Sequence, residues 1–445
     1  MSDSNIFFAW RNTDFAHRAA LFCRLGDLLE ARAVIFAAIM SDEMGKPTAQ
    51  GIGEVKKCAK VCRHYAAEGA NYLRAETVQK GKLNAEIRYE PIGTVLSILP
   101  WNFPFWQVFR VVVPSIMAGN LHLVKHAPNV PRCAAAIADL FLEAGFEEGV
   151  YRNLVIQIPE IEAVIARGEV RLVTLTGSER AGRSVAGVAA KYLKKCVLEL
   201  GGSDPFVVCA DADLDAAAAA LVSSRFGNNG QACNAAKRLI VHESIQKIFL
   251  EKVIAALQLR ISKREDESQN KRGSEAYPNN YFDNYFTHLA RPDLAETLQK
   301  QVKTGIAQGA QIFFEAGAWD VSNSIVPVLL VQLNKNNLTQ NPLWCEEVFG
   351  PVLVFIGFAT NDEALHLAND TVYGLGATVF TANNTTADFF ARSIEAGFVA
   401  VNQAVSSDPL VPFGGVKNSG FGRELGSLGM RELCNVKTVT IGDKT

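Results

Sequence analysis

The chain lacks an excess of charge: 44 Lys and Arg stand against 46 Asp and Glu in 445 residues, a formal net charge of −2. So weak a field excludes the strongly basic surface that nucleic acid or an anionic membrane would select. It also lacks any run of about 18 uncharged apolar residues, the length a membrane helix needs. The opening MSDSNIFFAW carries no basic stretch ahead of a long apolar one, so no export signal is expected and the protein reads as cytoplasmic. A disulfide frame is missing as well. The nine cysteines are odd in number and lie in apolar contexts such as Lys195-Cys196-Val197, as reduced thiols do. Cys58 and Cys62 fall on one predicted helix, but none of the seven histidines is paired with them, and no metal site is expected. Neither a Walker loop nor a strand-linked G-x-G-x-x-G is present, so a nucleotide would have to be held another way.

What remains is ordinary globular material, 49% hydrophobic and 20% charged, enough for two or three substructures around large cores. Apolar residues at helical spacing (Phe15, Ala19, Phe22, Leu25, Leu28, Leu29) predict a helix over 14–46, and 52–73 predicts a second. From residue 93 the pattern alternates. Strands are expected at Thr94–Leu99, Leu121–Lys125, Asn153–Ile158, Arg171–Thr176 and Lys195–Leu200, with helices at 104–118, 129–145 and 179–192 between them. A second alternating block spans about 204–400, with strands near Pro205–Val208, Arg238–Val241, Gln311–Phe314, Val352–Gly357 and Ala377–Phe380. Such alternation implies α/β architecture with parallel sheets, which bind ligands at the carboxyl ends of their strands.

Three residue types suit thiol chemistry on a carbonyl. Cys233, in Asn228-Asn229-Gly230-Gln231-Ala232-Cys233, offers the nucleophile. Glu199, ending an apolar strand before two glycines, is placed where burial raises a carboxyl toward a useful base. Asn102, in Pro100-Trp101-Asn102-Phe103-Pro104, can donate to an oxyanion. Each has a plainer explanation on its own: a buried small thiol, a helix-terminal acid, a helix cap.

In order along the chain, however, Pro100-Trp101-Asn102-Phe103-Pro104, Thr176-Gly177-Ser178, Leu198-Glu199-Leu200-Gly201-Gly202, the Cys233 motif, Glu347-Val348-Phe349-Gly350-Pro351 and Pro412-Phe413-Gly414-Gly415 through Gly420 resemble the aldehyde dehydrogenase superfamily over roughly residues 10–440. The resemblance implies a Rossmann-type NAD(P)-binding domain (1–200, with part of a β bridging element near 82–92), an α/β catalytic domain (201–410), and a return to the cofactor domain with a small β oligomerisation strand (411–445). A homodimer or homotetramer follows from it. It further implies that Cys233 attacks the aldehyde, that Asn102 and the Cys233 N–H hold the oxyanion, and that Glu199 activates the water that releases the acid. By the same resemblance Lys125 meets the adenosine ribose, Gly177 and Ser178 the pyrophosphate, Glu347 the nicotinamide ribose, and Trp101 and Phe349 line the nicotinamide pocket.

Lys125-His126-Ala127-Pro128 lacks the acid that many NAD-specific relatives carry there, and Lys125 or His126 could favour a 2′-phosphate, so NAD and NADP both stay open. Arg110, further along the helix that follows Asn102, and Ser407 resemble the residues with which succinate semialdehyde dehydrogenases hold the distal carboxylate. The expected activity is oxidation of succinate semialdehyde to succinate. Alternatives are preference for another aliphatic aldehyde, a non-redox thioesterase, or a catalytically silent relative. Residues 262–286 depart from the family, the charged half reading as a solvated loop and Tyr277 to Phe286 as an aromatic, asparagine-rich stretch. The N-terminus also begins late for the family, and an N-terminal arm is expected to be missing.

Overall fold

The computed structural model describes residues 3–271, 288–440 and 442. The long helix expected at 14–46 is two. Asp14, in extended backbone, accepts the His17 N–H and starts Phe15–Ala31. At Arg32 the backbone leaves helical geometry (φ −114°, ψ 15°), and Ala33–Met44 follows, closed by Gly45 in the left-handed region that glycine tolerates. The break carries neither Gly nor Pro; Arg32 instead turns its guanidinium to Glu143. A helix at Asp3–Arg11 precedes them, beyond what the pattern predicted. Thr48–Tyr72 buries Val55, Cys58, Ala59, Cys62 and Tyr65 along one face, the spacing of a helix laid on a core.

A six-stranded sheet holds Gly420–Phe421, Lys195–Glu199, Val170–Thr176, Thr94–Ile98, Leu121–Lys125 and Tyr151–Asn153 in that spatial order. The last five are mutually parallel. The strand predicted at Asn153–Ile158 ends at Asn153. Beyond it Val155 and Ile158 are 90% and 76% exposed, so their apolar run covers no core, and the chain turns into the short helix Ile161–Ile165.

The second sheet has seven strands in the order Gln311–Ala316, Val328–Gln332, Val352–Phe358, Ala236–His242, Asp204–Val208, Gly376–Phe380 and Phe398–Val401. All its pairings are parallel except the first. Val328–Gln332 and Phe398–Val401 complete it beyond the strands predicted from sequence. A third sheet is antiparallel: Glu76–Lys80, Leu83–Pro91 and the C-terminal strand Cys434–Thr440. The charged segment expected as a loop from 262 is, as far as Lys271, the end of the helix Gln246–Lys271. Its Lys, Arg, Glu and Gln residues favour helix, and no Gly or Pro interrupts them. Tyr277 to Phe286 lie outside the described residues. Among the described residues no helix is long and apolar enough to cross a membrane.

Candidate active site

In the first sheet the strand Thr94–Ile98 lies between its successor in sequence, Leu121–Lys125, and the later strand Val170–Thr176. Chain direction away from the centre therefore reverses at this point, and the connections leave on opposite faces. In an open parallel sheet this opens a crevice at the carboxyl ends of the strands. Trp101 and Asn102 follow one of these two strands and Gly177 and Ser178 the other, while Lys125 and Glu199 end their immediate neighbours. Six residues singled out from sequence thus share one edge of one sheet.

The loop before Cys233 is bent into a shape few residues adopt. Asn228 (φ 49°), Asn229 (φ 58°) and Gly230 (φ 75°) are consecutive left-handed residues. Asparagine and glycine visit that region most readily, and Gly230 also lies against the backbone of Gly350 with no room for a Cβ. The buried Arg225 pins the loop: its Nη1 donates to Gly230 O at 3.3 Å, its Nη2 to Val348 O at 3.1 Å and its Nε to Val352 O at 2.9 Å. Asn228 Nδ2 then donates to Asn102 O (2.8 Å), and Asn102 Nδ2 donates to Gln231 O (3.0 Å). These two bonds bring Asn102 to the Cys233 loop. One amide hydrogen of Asn102 is left for another acceptor, and no acceptor among the described residues takes the Cys233 N–H.

Cys233 is half-buried. Dry surroundings push its thiol up to about 11, Arg110 and Lys237 pull it down, and Glu347 and Glu199 push it up. The four charges nearest the thiol in effect therefore include two of the acids named from sequence. Lys237 was not anticipated. Only 1% exposed, it donates to the carbonyls of Gly202 and Cys233, each at 2.6 Å, and to Glu347 Oε1 at 2.9 Å. It ties the nucleophile's backbone to the acid expected to meet a ribose.

Glu199 is fully enclosed, and neither carboxylate oxygen has a hydrogen-bond partner in the chain. Its Oε1 overlies Gly414, where a Cβ would come within 2.6 Å. Burial foremost, then the nearby Glu424, raises this carboxyl well above the usual range, while Arg110 and Arg423 oppose the shift. Orphaned buried oxygens are costly and rare in chains that need them only for structure. Glu424 is ion-paired to Arg110 Nε, whose Nη2 donates to Thr176 Oγ1 at 3.1 Å and whose guanidinium faces the Phe413 ring at 5.6 Å.

The crevice suits a dinucleotide. Ser178 caps the helix Glu179–Lys191, its Oγ accepting the Ala181 N–H, so the free N–H groups of that first turn point at the crevice, as anion sites require. Space is open over Gly177, where an added Cβ would touch only Leu175, at 3.6 Å. Lys125 is 8% exposed, and burial lowers its affinity for the proton; among the described residues it has no carboxylate partner. Trp101 and Phe349 meet edge to face at 6.0 Å. His126 does not join this set. Its Nε2 donates to Pro104 O at 2.8 Å and its Nδ1 accepts the Ala127 N–H, and burial lowers it to about 4. A neutral ring with both nitrogens engaged has no charge to offer a 2′-phosphate.

Ser407 Oγ accepts from Lys57 Nζ at 2.8 Å and from Trp106 Nε1 at 3.1 Å. Lys57 was not singled out from sequence, nor was Glu54, one helical turn before it. Glu54 pairs with the buried Lys46, and its Oε1 accepts the N–H groups of Phe105 and Trp106, each at 2.9 Å, fixing the turn that carries Asn102. The available signal was a glutamate in register with the buried stripe of Val55, Cys58 and Cys62.

The sequence matches the Aldehyde dehydrogenase family over residues 4–439. It is 44% identical to a probable succinate-semialdehyde dehydrogenase [NADP(+)] of Synechocystis, covering 98% of this chain and 92% of that one. It is 42% identical to a succinate semialdehyde dehydrogenase [NAD(P)+] of Escherichia coli, covering 97% and 90%. Among solved structures, succinic semialdehyde dehydrogenase from Streptococcus pyogenes, in complex with NADP+ as the cofactor, superposes with a TM-score of 0.88 at 33% identity, covering 99% of this chain and 93% of that chain.

Proposed function

The chain belongs to the aldehyde dehydrogenase family, and from that premise we propose that it oxidises succinate semialdehyde to succinate with NAD or NADP. The observation that carries the reading is Glu199: a buried carboxyl with both oxygens unengaged, at the edge of the cofactor crevice and acting electrostatically on Cys233. The relatives' activities support the substrate.

Cys233 Sγ loses its proton, favoured by the positive Arg110 and Lys237, and bonds to the aldehyde carbon. The spare Asn102 amide hydrogen and the Cys233 N–H receive the oxygen that becomes negative in that step. Lys237 fixes the peptide carbonyl of Cys233, so its N–H is already oriented. A nicotinamide held between Trp101 and Phe349 would supply the hydride acceptor for the same carbon. What remains on Cys233 is a thioester. Glu199, as carboxylate, takes a proton from water, the water oxygen bonds to the acyl carbon, and the C–S bond breaks to return the thiolate and release the acid. Lys125, Gly177, Ser178, Glu347, Trp101 and Phe349 are proposed to hold the cofactor, and Ser407 to meet the substrate's far carboxylate.

The three-stranded antiparallel sheet leaves Glu76–Lys80 and most of Cys434–Thr440 exposed at its two edges, which supports assembly with further copies as a homodimer or homotetramer. Light scattering on the purified protein tests it: a monomer would overturn it. The activity is tested by reduced-nicotinamide absorbance with succinate semialdehyde or butanal, each with NAD and NADP. Preference for the semialdehyde is expected. Silence in all four mixtures would overturn the proposal and favour a thioesterase or silent relative.

A further inference from the structure

Arg110, the cation expected to hold the substrate's carboxylate, already faces Glu424 and Thr176. Lys57 offers what Arg110 does not. It lies half-buried on the helix Thr48–Tyr72, its Nζ 4.0 Å from the centre of the Trp106 ring and 2.8 Å from Ser407 Oγ. Each acid around it is committed elsewhere. Glu54, on the same helix, is held by Lys46 and two backbone N–H groups. Asp408, beside Ser407, is held by Lys60 at 2.8 Å. Glu424, reached through Arg110, is held by it. Among the described residues no carboxylate lies within ion-pair distance of Lys57.

Resting on the proposed substrate, we propose that Lys57, together with the Ser407 hydroxyl, binds the distal carboxylate, and that Arg110 instead positions Glu424 beside Glu199. Charge, hydroxyl and indole N–H converge on one point: Ser407 Oγ takes hydrogens from both Lys57 and Trp106, which leaves its own hydrogen to donate outward to an anion. A half-buried ammonium with no carboxylate at ion-pair distance is incompletely compensated, and a substrate carboxylate supplies the counter-ion and a charge-assisted bond. The position accords with Arg110, whose charge acts on both Lys57 and the Cys233 thiol. Burial first, then the Arg110 charge, lowers Lys57 to about 8, with Cys58, Glu54 and Asp408 opposing. The free enzyme therefore loses this cation, and the affinity it supplies, as pH rises through that value.

Steady-state kinetics on Lys57→Met and Lys57→Arg, with succinate semialdehyde and with butanal, test the assignment. Lys57→Met should raise KM for the semialdehyde at least about tenfold more than for butanal, the worth of one charge-assisted bond, and Lys57→Arg should recover most of it. In the wild type, KM for the semialdehyde should climb above about pH 8 while that for butanal does not, and Lys57→Arg should lose this climb because arginine stays charged. The pH profile decides even if Lys57→Met folds poorly. A wild-type preference for the semialdehyde that survives in Lys57→Met, or a KM flat across that limb, would overturn the inference alone. A wild type indifferent to the two aldehydes would overturn the substrate reading and this inference with it.

Discussion

Two sets of buried polar side chains can be compared in this protein, and they are finished to different degrees. On the seven-stranded sheet Arg238 is wholly enclosed, yet Nε donates to Ser203 O, Nη1 to Leu367 O and Nη2 to Ala368 O, each at 2.8 Å, and the guanidinium stacks over Trp344 at 4.7 Å. At the edge of the six-stranded sheet Glu199 is as deeply enclosed, with neither oxygen bonded, and Asn102 Oδ1 is likewise without a partner. Depth is similar; completion is not. A group that serves the fold finds its partners inside the chain, whereas one that serves chemistry keeps valences for a molecule that arrives later.

The comparison can be broken most sharply at the nucleophile. Cys233→Ala should abolish aldehyde oxidation and leave nicotinamide binding, read by fluorescence titration, intact; retained turnover would remove Cys233 from the centre of the site. Glu199→Gln should allow one burst of reduced cofactor and then slow the steady rate by about 10²- to 10⁴-fold, the range for losing a positioned base. An unchanged steady rate in stopped flow would show the open oxygens are idle. Asn102→Ala should lower kcat by about 10²- to 10³-fold, as removing an oxyanion donor does, with a smaller change in KM.

On the other side, Arg238→Met should cost about 3 kcal/mol by stranding carbonyls that now share its donors. A lowered urea midpoint with near-normal kcat per folded molecule is the expected signature, and a lost kcat would erase the distinction between the two sets. The gentlest test is pH. Burial raises both the Cys233 thiol, to about 11, and the Glu199 carboxyl, and each acts after losing its proton. Turnover of butanal should therefore rise with pH, and Glu199→Gln should remove the part of that rise that Glu199 supplies.

Cys233, Glu199 and Asn102 could be singled out because each sits in a short motif whose local chemistry is unusual: paired asparagines and a Gly ahead of the Cys, a Glu ahead of two glycines, an Asn between aromatics. Lys57, Lys237 and Glu424 were not, since nothing beside them in sequence signals burial; their partners Ser407, Glu347 and Arg110 come from distant segments. The same limit applies to the fold. Alternating apolar runs announced most strands of both sheets, but the apolar run after Asn153 lost its pairing because it lies at an edge with no core to cover. The charge-rich run from 262 combines the polarity of a solvated loop with residues of high helix propensity, and the bend at Arg32 has no breaker residue to mark it.

The strand carrying Glu199 is completed from far along the chain. Gly420 and Phe421 pair antiparallel with Glu199 and Leu198, Ser419 Oγ donates to Gly201 O at 2.6 Å, and Gly414 lies beneath the carboxyl. During synthesis, then, the five parallel strands of this sheet emerge well before the segment that walls in Glu199. A nascent chain cut short before these residues would carry Cys233 and leave Glu199 without the segment that encloses it. Such distant closure is slow to find by chance, so the surroundings of Glu199 are completed only when this later segment folds back on the sheet.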